Sequence, residues 1–208
     1  RSRPSSGHID KINENMQFPA DDFCIVRGAF AWERAFLFPT NLLDYKAQKS
    51  KEGPFMPDSC QKIELTAWPR AESFRFFSSL DQPFYSVCFR VDVTKLHAYA
   101  KSHGLSFYHA MIYFVTQAVN ETENFRYTIR NGEVSLLAAR TPSFTVLKPG
   151  SDQFQIVTAP CTGGLEDFCR TAKEKTERQT AFLDPASEMD DLIYISCLPW
   201  FDLTCCTN

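Results

Sequence analysis

The sequence has no apolar run long enough to cross a bilayer. Its longest, near Ala110 to Val115, falls far short of the roughly 20 residues a membrane-spanning helix needs. No apolar leader followed by a cleavage site is present. No basic stripe stands out either: 22 Lys and Arg against 25 Asp and Glu leave a net charge of −3. A nucleic-acid binder that works by neutralising phosphates is thereby excluded, and no membrane partner is expected. Eight cysteines occur without one Cys-x-x-Cys pair, and their spacing fits no zinc pattern, so no metal is expected. Cys205 and Cys206 are adjacent, a poor geometry for a mutual disulfide. Buried, reduced thiols in a cytoplasmic protein are the expectation. There is no internal repeat.

What is present points to a packed domain. The 208 residues are 44% apolar and include 19 phenylalanines, enough for a substantial core or an aromatic-lined pocket. The chain opens on Arg1 and not on Met, so a missing true N-terminus is expected. Residues 1–57 read as an extension or linker: a polar opening, a helix-like stretch GAFAWERAFLF, then a basic run ending in Gly53, Pro54 and Pro57.

From residue 58 the signals sharpen into one domain. WPRAESFRFFSSL predicts a short amphipathic helix with Pro69 in its first turn. FYSVCFRVDV alternates, with Val87, Phe89, Val91 and Val93 on one face, and predicts a strand over Phe84 to Val93. Thr94 is placed to cap the next helix and Gly104 to end it. Ser106 is placed to cap a further helix carrying an apolar stripe of Phe107, Met111, Phe114, Val115 and Ala118. Asn131-Gly132 between FRYTIR and EVSLL predicts a hairpin with a type I′ turn. PSFTVLK, QFQIVTAP and DDLIYISCLPW predict strands, and LEDFCRTAKEKTERQ a helix. Mixed helices and strands without strict alternation predict a two-layer α/β sandwich on one mixed β-sheet, with the Phe107, Met111 and Phe114 stripe lying on it.

Four segments, in order, carry a resemblance: IELTAWPRAESFRFF, SFYHAMIYFVTQAVN, the hairpin FRYTIRNGEV with the following TPSFTV, and YISCLPWFDLT. Over Cys60 to Asn208 the chain resembles the chloramphenicol acetyltransferase family. The resemblance implies that family's α/β fold and a homotrimer with active sites between subunits. It also implies transfer of an acetyl group from acetyl-CoA to a hydroxyl of a small molecule, with chloramphenicol or a related antibiotic as candidate acceptor. Ser196 matches the family serine that contacts the oxyanion. Arg70 matches an arginine that fixes the catalytic loop. Phe76, Phe77, Tyr85 and Phe144 match or lie near positions lining the acceptor pocket. Pro199 and Trp200 match positions near the pantetheine channel.

Such chemistry needs a base to take the hydroxyl proton, a donor for the tetrahedral oxyanion and a dry pocket. The family's base lies in a His-His-x-x-x-Asp-Gly motif. The chain holds four histidines, His8, His97, His103 and His109, and none precedes an Asp-Gly pair at that spacing. The expectation is a C-terminally incomplete acyltransferase whose base lies elsewhere. The competing expectation is a non-catalytic small-molecule-binding protein with an acyltransferase-like pocket.

Overall fold

The structure is a computed structural model that describes residues 25–26, 60–84, 87 and 90–197. Its principal sheet has four strands: β1 (Ile25–Val26), β5 (Thr141–Leu147), β6 (Phe154–Thr158) and β7 (Leu192–Ser196), in the order β1-β7-β5-β6. The β5–β7 pair is parallel, whereas β5–β6 and β1–β7 are antiparallel, so the sheet is mixed. A second sheet, β2 (Cys60–Lys62), β3 (Tyr127–Arg130) and β4 (Glu133–Leu137), is antiparallel in the order β2-β4-β3. Four helices complete the described fold: α1 (Ala71–Ser78), α2 (Thr94–Ser102), α3 (Phe107–Glu121) and α4 (Leu165–Arg178). The α/β class expected from the sequence is the class observed, with the strands divided between two sheets instead of one.

Local sequence explains several boundaries. Asn131 and Gly132 both have positive φ, 52° and 80°, as a type I′ turn demands, and they join β3 to β4. The Ser106 hydroxyl accepts the His109 amide and caps α3. Gly104, at φ 64°, ends α2 in a Schellman motif. There the Leu105 amide donates to the Ala100 carbonyl and the Gly104 amide to that of Lys101. Thr94 does not cap α2, because the Asp92 carboxylate accepts the Thr94 amide at 2.9 Å and supplies the turn itself. Pro69 precedes α1, which begins at Ala71 with Arg70 in the cap position.

Two expectations are corrected. The described residues of Phe84 to Val93 lie in no strand; Tyr85, Ser86, Cys88 and Phe89 fall outside the described residues. Alternation specifies an apolar face and not a ladder partner. Here Val91 and Val93 pack among helices, while Val87 is exposed. The α3 stripe is corrected for a related reason. Met111 and Phe114, flanked by Phe107, pack with Leu96 and Ala100 of α2 and Leu165 of α4. The sheet is met instead by Ile112 and Val119, which pack with Phe144, Val157, Ile193 and Ile195, together with Phe168 of α4. The helix is apolar on two sides because it lies between the sheet and a neighbouring helix.

Polar side chains finish what the ladders leave open. The guanidinium of Arg140 donates to the carbonyls of Phe125 (2.9 Å), Tyr127 (2.5 Å) and Asp190 (3.0 Å). Its backbone amide donates to the Asn120 side chain at 2.6 Å. Arg140 thereby joins the end of α3, the start of the β3–β4 hairpin and the approach to β7. Along the outer edge of β6, the Ile156 amide donates to the Phe182 carbonyl, and Gln179 Nε2 donates to the Ile156 carbonyl. That edge is covered, as solvent-facing edges of sheets generally must be.

Candidate active site

Strand β7 alternates after its first residue: Ile193 and Ile195 point into the core, while Tyr194 and Ser196 are exposed on the opposite face. Its parallel neighbour β5 sets Thr141 beside Leu192 and Phe144 beside Ile195. Thr145 therefore lies next to Ser196, and their hydroxyl oxygens are 2.9 Å apart. One register step back on the same face, Thr158 Oγ1 donates to Ser143 Oγ at 3.0 Å, and both residues are buried. The sheet face turned away from the helices thus carries a row of hydroxyls. Of these two pairs, the one at the end of β7 is the one that reaches solvent. An exposed hydroxyl on a strand buried on its other face is a rigidly mounted donor.

The other sequence-predicted residues are dispersed. Phe76 is exposed and Phe77 half-buried on α1, their rings edge to face at 5.3 Å. Phe144 is only 1% exposed and packs beneath the sheet, 5.7 Å from the His109 ring and 6.1 Å from that of Tyr108. In this chain it is a core residue. Arg70 donates to Asn124 Oδ1 and lies over the Tyr127 ring, 5.9 Å from its centroid. Trp68 adjoins the same tyrosine at 5.2 Å. Arg70 thus ties the approach to α1 to the segment entering β3, which is an architectural contact. Tyr85, Pro199 and Trp200 lie outside the described residues.

None of the described histidines is placed as a base beside Ser196. His97 packs edge to face on Phe107 at 5.1 Å, and His103 stacks on Tyr99 at 3.9 Å. His8 lies outside the described residues. His109 is buried on α3 with no hydrogen-bond partner for Nδ1. Burial, helped by the nearby positive charge of Lys173, lowers its pKa from 6.5 to about 4. A neutral imidazole in the fold, against one that protonates near 6.5 when unfolded, means the unfolded chain binds more protons between those values. Stability is therefore full above pH 6.5 and falls as the pH drops towards 4. At about 1.4 kcal/mol per pH unit, the shift amounts to roughly 3 kcal/mol. Urea unfolding at pH 7 and pH 4.5 is expected to show this loss, and His109→Leu to remove most of it. An unchanged pH dependence in the variant would contradict the assignment.

Of the described cysteines, Cys60 is exposed, Cys161 and Cys197 are half-buried and Cys169 is buried. Cys60, on an edge strand, departs from the expectation of buried thiols. Burial pushes Cys161 up to about 12 and Cys169 up to about 11, so both stay protonated and unreactive. Among the described residues, no cluster of His, Cys, Asp or Glu is placed to hold a metal. No helix there is long and apolar enough to cross a membrane.

Sequence reasoning missed Thr145. The signal for it was the alternation of Thr141, Ser143 and Thr145 along TPSFTV, which puts three hydroxyls on one sheet face.

Helices laid on one face of a mixed sheet, with a serine at the end of its parallel strand, define an α/β sandwich. A solved chloramphenicol acetyltransferase is similar to the chain with a TM-score of 0.55 and 26% identity, over 58% of this chain and 57% of that one. The family description "CAT: Chloramphenicol acetyltransferase" matches residues 59–207, and the chain belongs to the chloramphenicol acetyltransferase family. Chloramphenicol acetyltransferase of Bacillus pumilus is 30% identical over 138 residues, covering 65% of this chain and 63% of the relative. Chloramphenicol acetyltransferase 3 of Escherichia coli is 25% identical over 142 residues, 67% of each. The chain spans about two thirds of the length of these curated relatives.

Proposed function

We propose that the protein containing this chain is an acetyl-CoA-dependent O-acetyltransferase acting on a hydroxyl group of a small molecule, with chloramphenicol or a related antibiotic as acceptor. The observation that carries the reading is Ser196, an exposed hydroxyl fixed at the end of a strand buried on its other face. In the reaction the acceptor oxygen attacks the thioester carbonyl carbon while a base removes the hydroxyl proton. The carbonyl electron pair moves onto oxygen, and Ser196 donates its proton in a hydrogen bond to that oxyanion. Collapse of the adduct reforms the carbonyl, breaks the carbon–sulfur bond and releases the coenzyme A thiol, which takes the proton back.

The base is a histidine that is none of the four in this chain, in keeping with the burial and low pKa of His109. The working protein is a homotrimer in which the acceptor pocket of one subunit faces the histidine of the next. Phe76, Phe77 and Tyr85 line the acceptor pocket, and Pro199 and Trp200 flank the coenzyme. Residues 1–57 form an extension to the transferase domain that contributes the edge strand Ile25–Val26 to its sheet, and the protein is cytoplasmic.

A thiol-release assay with acetyl-CoA and chloramphenicol tests the reading. The complete protein is expected to release thiol. The 208-residue chain alone is expected to be slower by roughly 10²–10⁴-fold, the usual contribution of a general base. Equal turnover by the two would overturn the placement of the base. Acceptor binding without thiol release by the complete protein would overturn the enzyme reading in favour of a binding protein.

A further inference from the structure

We infer that Thr145 is a positioning residue that aims the Ser196 hydroxyl at the reacting carbonyl. The inference rests on Ser196 being the oxyanion donor. A serine hydroxyl has a single proton. The two oxygens lie 2.9 Å apart, and either can be the donor. If Ser196 donates to Thr145, no proton is left for the oxyanion. If Thr145 donates to Ser196, the serine proton stays free. Accepting a hydrogen bond also makes the serine a stronger donor, because linked hydrogen bonds polarise one another.

Three observations favour the second arrangement. First, Thr145 lies on the central strand β5, paired on one side with β6 and on the other with β7. Its carbonyl also accepts from the Tyr108 hydroxyl at 3.0 Å. A β-branched side chain on so restrained a backbone has little rotamer freedom, so its oxygen stays where Ser196 meets it. Second, the Thr145 hydroxyl has Ser196 as its only hydrogen-bond partner among the described residues, so its proton has no competing acceptor there. Third, the neighbouring hydroxyl pair on this face has the same order, Thr158 donating to Ser143, but is buried. These two pairs therefore differ in exposure, and of the two only Thr145 and Ser196 can present a proton to substrate.

The test is steady-state kinetics of the complete protein with acetyl-CoA and chloramphenicol, comparing Thr145→Val, Thr145→Ser, Ser196→Ala and the Thr145→Val/Ser196→Ala double variant. Thr145→Val is expected to lower kcat by about 3- to 10-fold, the equivalent of one neutral hydrogen bond, and to leave both KM values within about twofold. Thr145→Ser restores the hydroxyl and most of the rate. In the Ser196→Ala background, Thr145→Val is expected to cost nothing further, because the group it orients is gone. If the valine variant does not fold, Thr145→Ala is read in the same way.

A Thr145→Val effect confined to KM, or one of equal size with and without Ser196, would overturn the inference and leave the role of Ser196 intact. An undiminished kcat in Ser196→Ala, or a complete protein without turnover, would overturn the underlying reading and this inference with it.

Discussion

Ser196→Ala in the complete protein is expected to lower kcat by roughly 10²–10³-fold, the usual loss when one oxyanion donor is removed. Both KM values are expected to change little. The ground-state thioester carbonyl is a weak acceptor, and the full negative charge forms only on the way to the tetrahedral adduct. A donor that acts on developing charge appears in kcat and not in binding. The strand explains why the fold should survive the change. Ser196 is exposed, its hydroxyl is hydrogen-bonded to Thr145, and Ile193 and Ile195 hold β7 in the core. Alanine opens no buried cavity. Steady-state kinetics alongside a thermal melt would check both halves. A raised KM with unchanged kcat would mean that Ser196 only positions substrate.

The second large effect concerns Phe144. The resemblance puts this residue on the wall of the acceptor pocket, whereas the structure puts it in the core at 1% exposure. Val157 faces it across the antiparallel pair and Ile195 across the parallel one, and the His109 and Tyr108 rings cover it. Phe144→Ala is therefore expected to destabilise the chain by about 3–5 kcal/mol, combining lost burial with the cavity left beneath the sheet. Urea unfolding measures it directly. A cost below about 1 kcal/mol, typical of a surface change, together with a raised KM for the acceptor, would return Phe144 to the pocket. The same packing gives His109 its low pKa, so the cavity is expected to admit water and raise that pKa back towards 6.5.

How much of this was legible in the sequence depended on the range of the interaction involved. The Asn131-Gly132 turn, the Ser106 cap and the Gly104 stop are decided within a few residues, and they appear where the sequence put them. The neighbours of α3 are not local. Periodicity found an apolar stripe on that helix but could not say whether a sheet or another helix would cover it. The alternation through Val91 and Val93 failed similarly, since a helical cluster used the apolar face that a strand was expected to bury. At the site, Ser196 was legible only through the segment around it. Its partner Thr145 is 51 positions away and meets it through a parallel register. No turn fixes such a register, so nothing near either residue announces the pair.

Arg140 has a consequence for the way the molecule opens. One side chain binds carbonyls on the approach to β3, at the start of that strand and just before β7. Breaking it away at any one of them strands a positive charge among carbonyls that have lost their donor, a penalty far larger than fraying an ordinary loop. The hairpin and the first half of β7 therefore detach as one cooperative unit, with amide exchange rates that rise and fall together. Ser196, at the far end of β7, lies outside that unit.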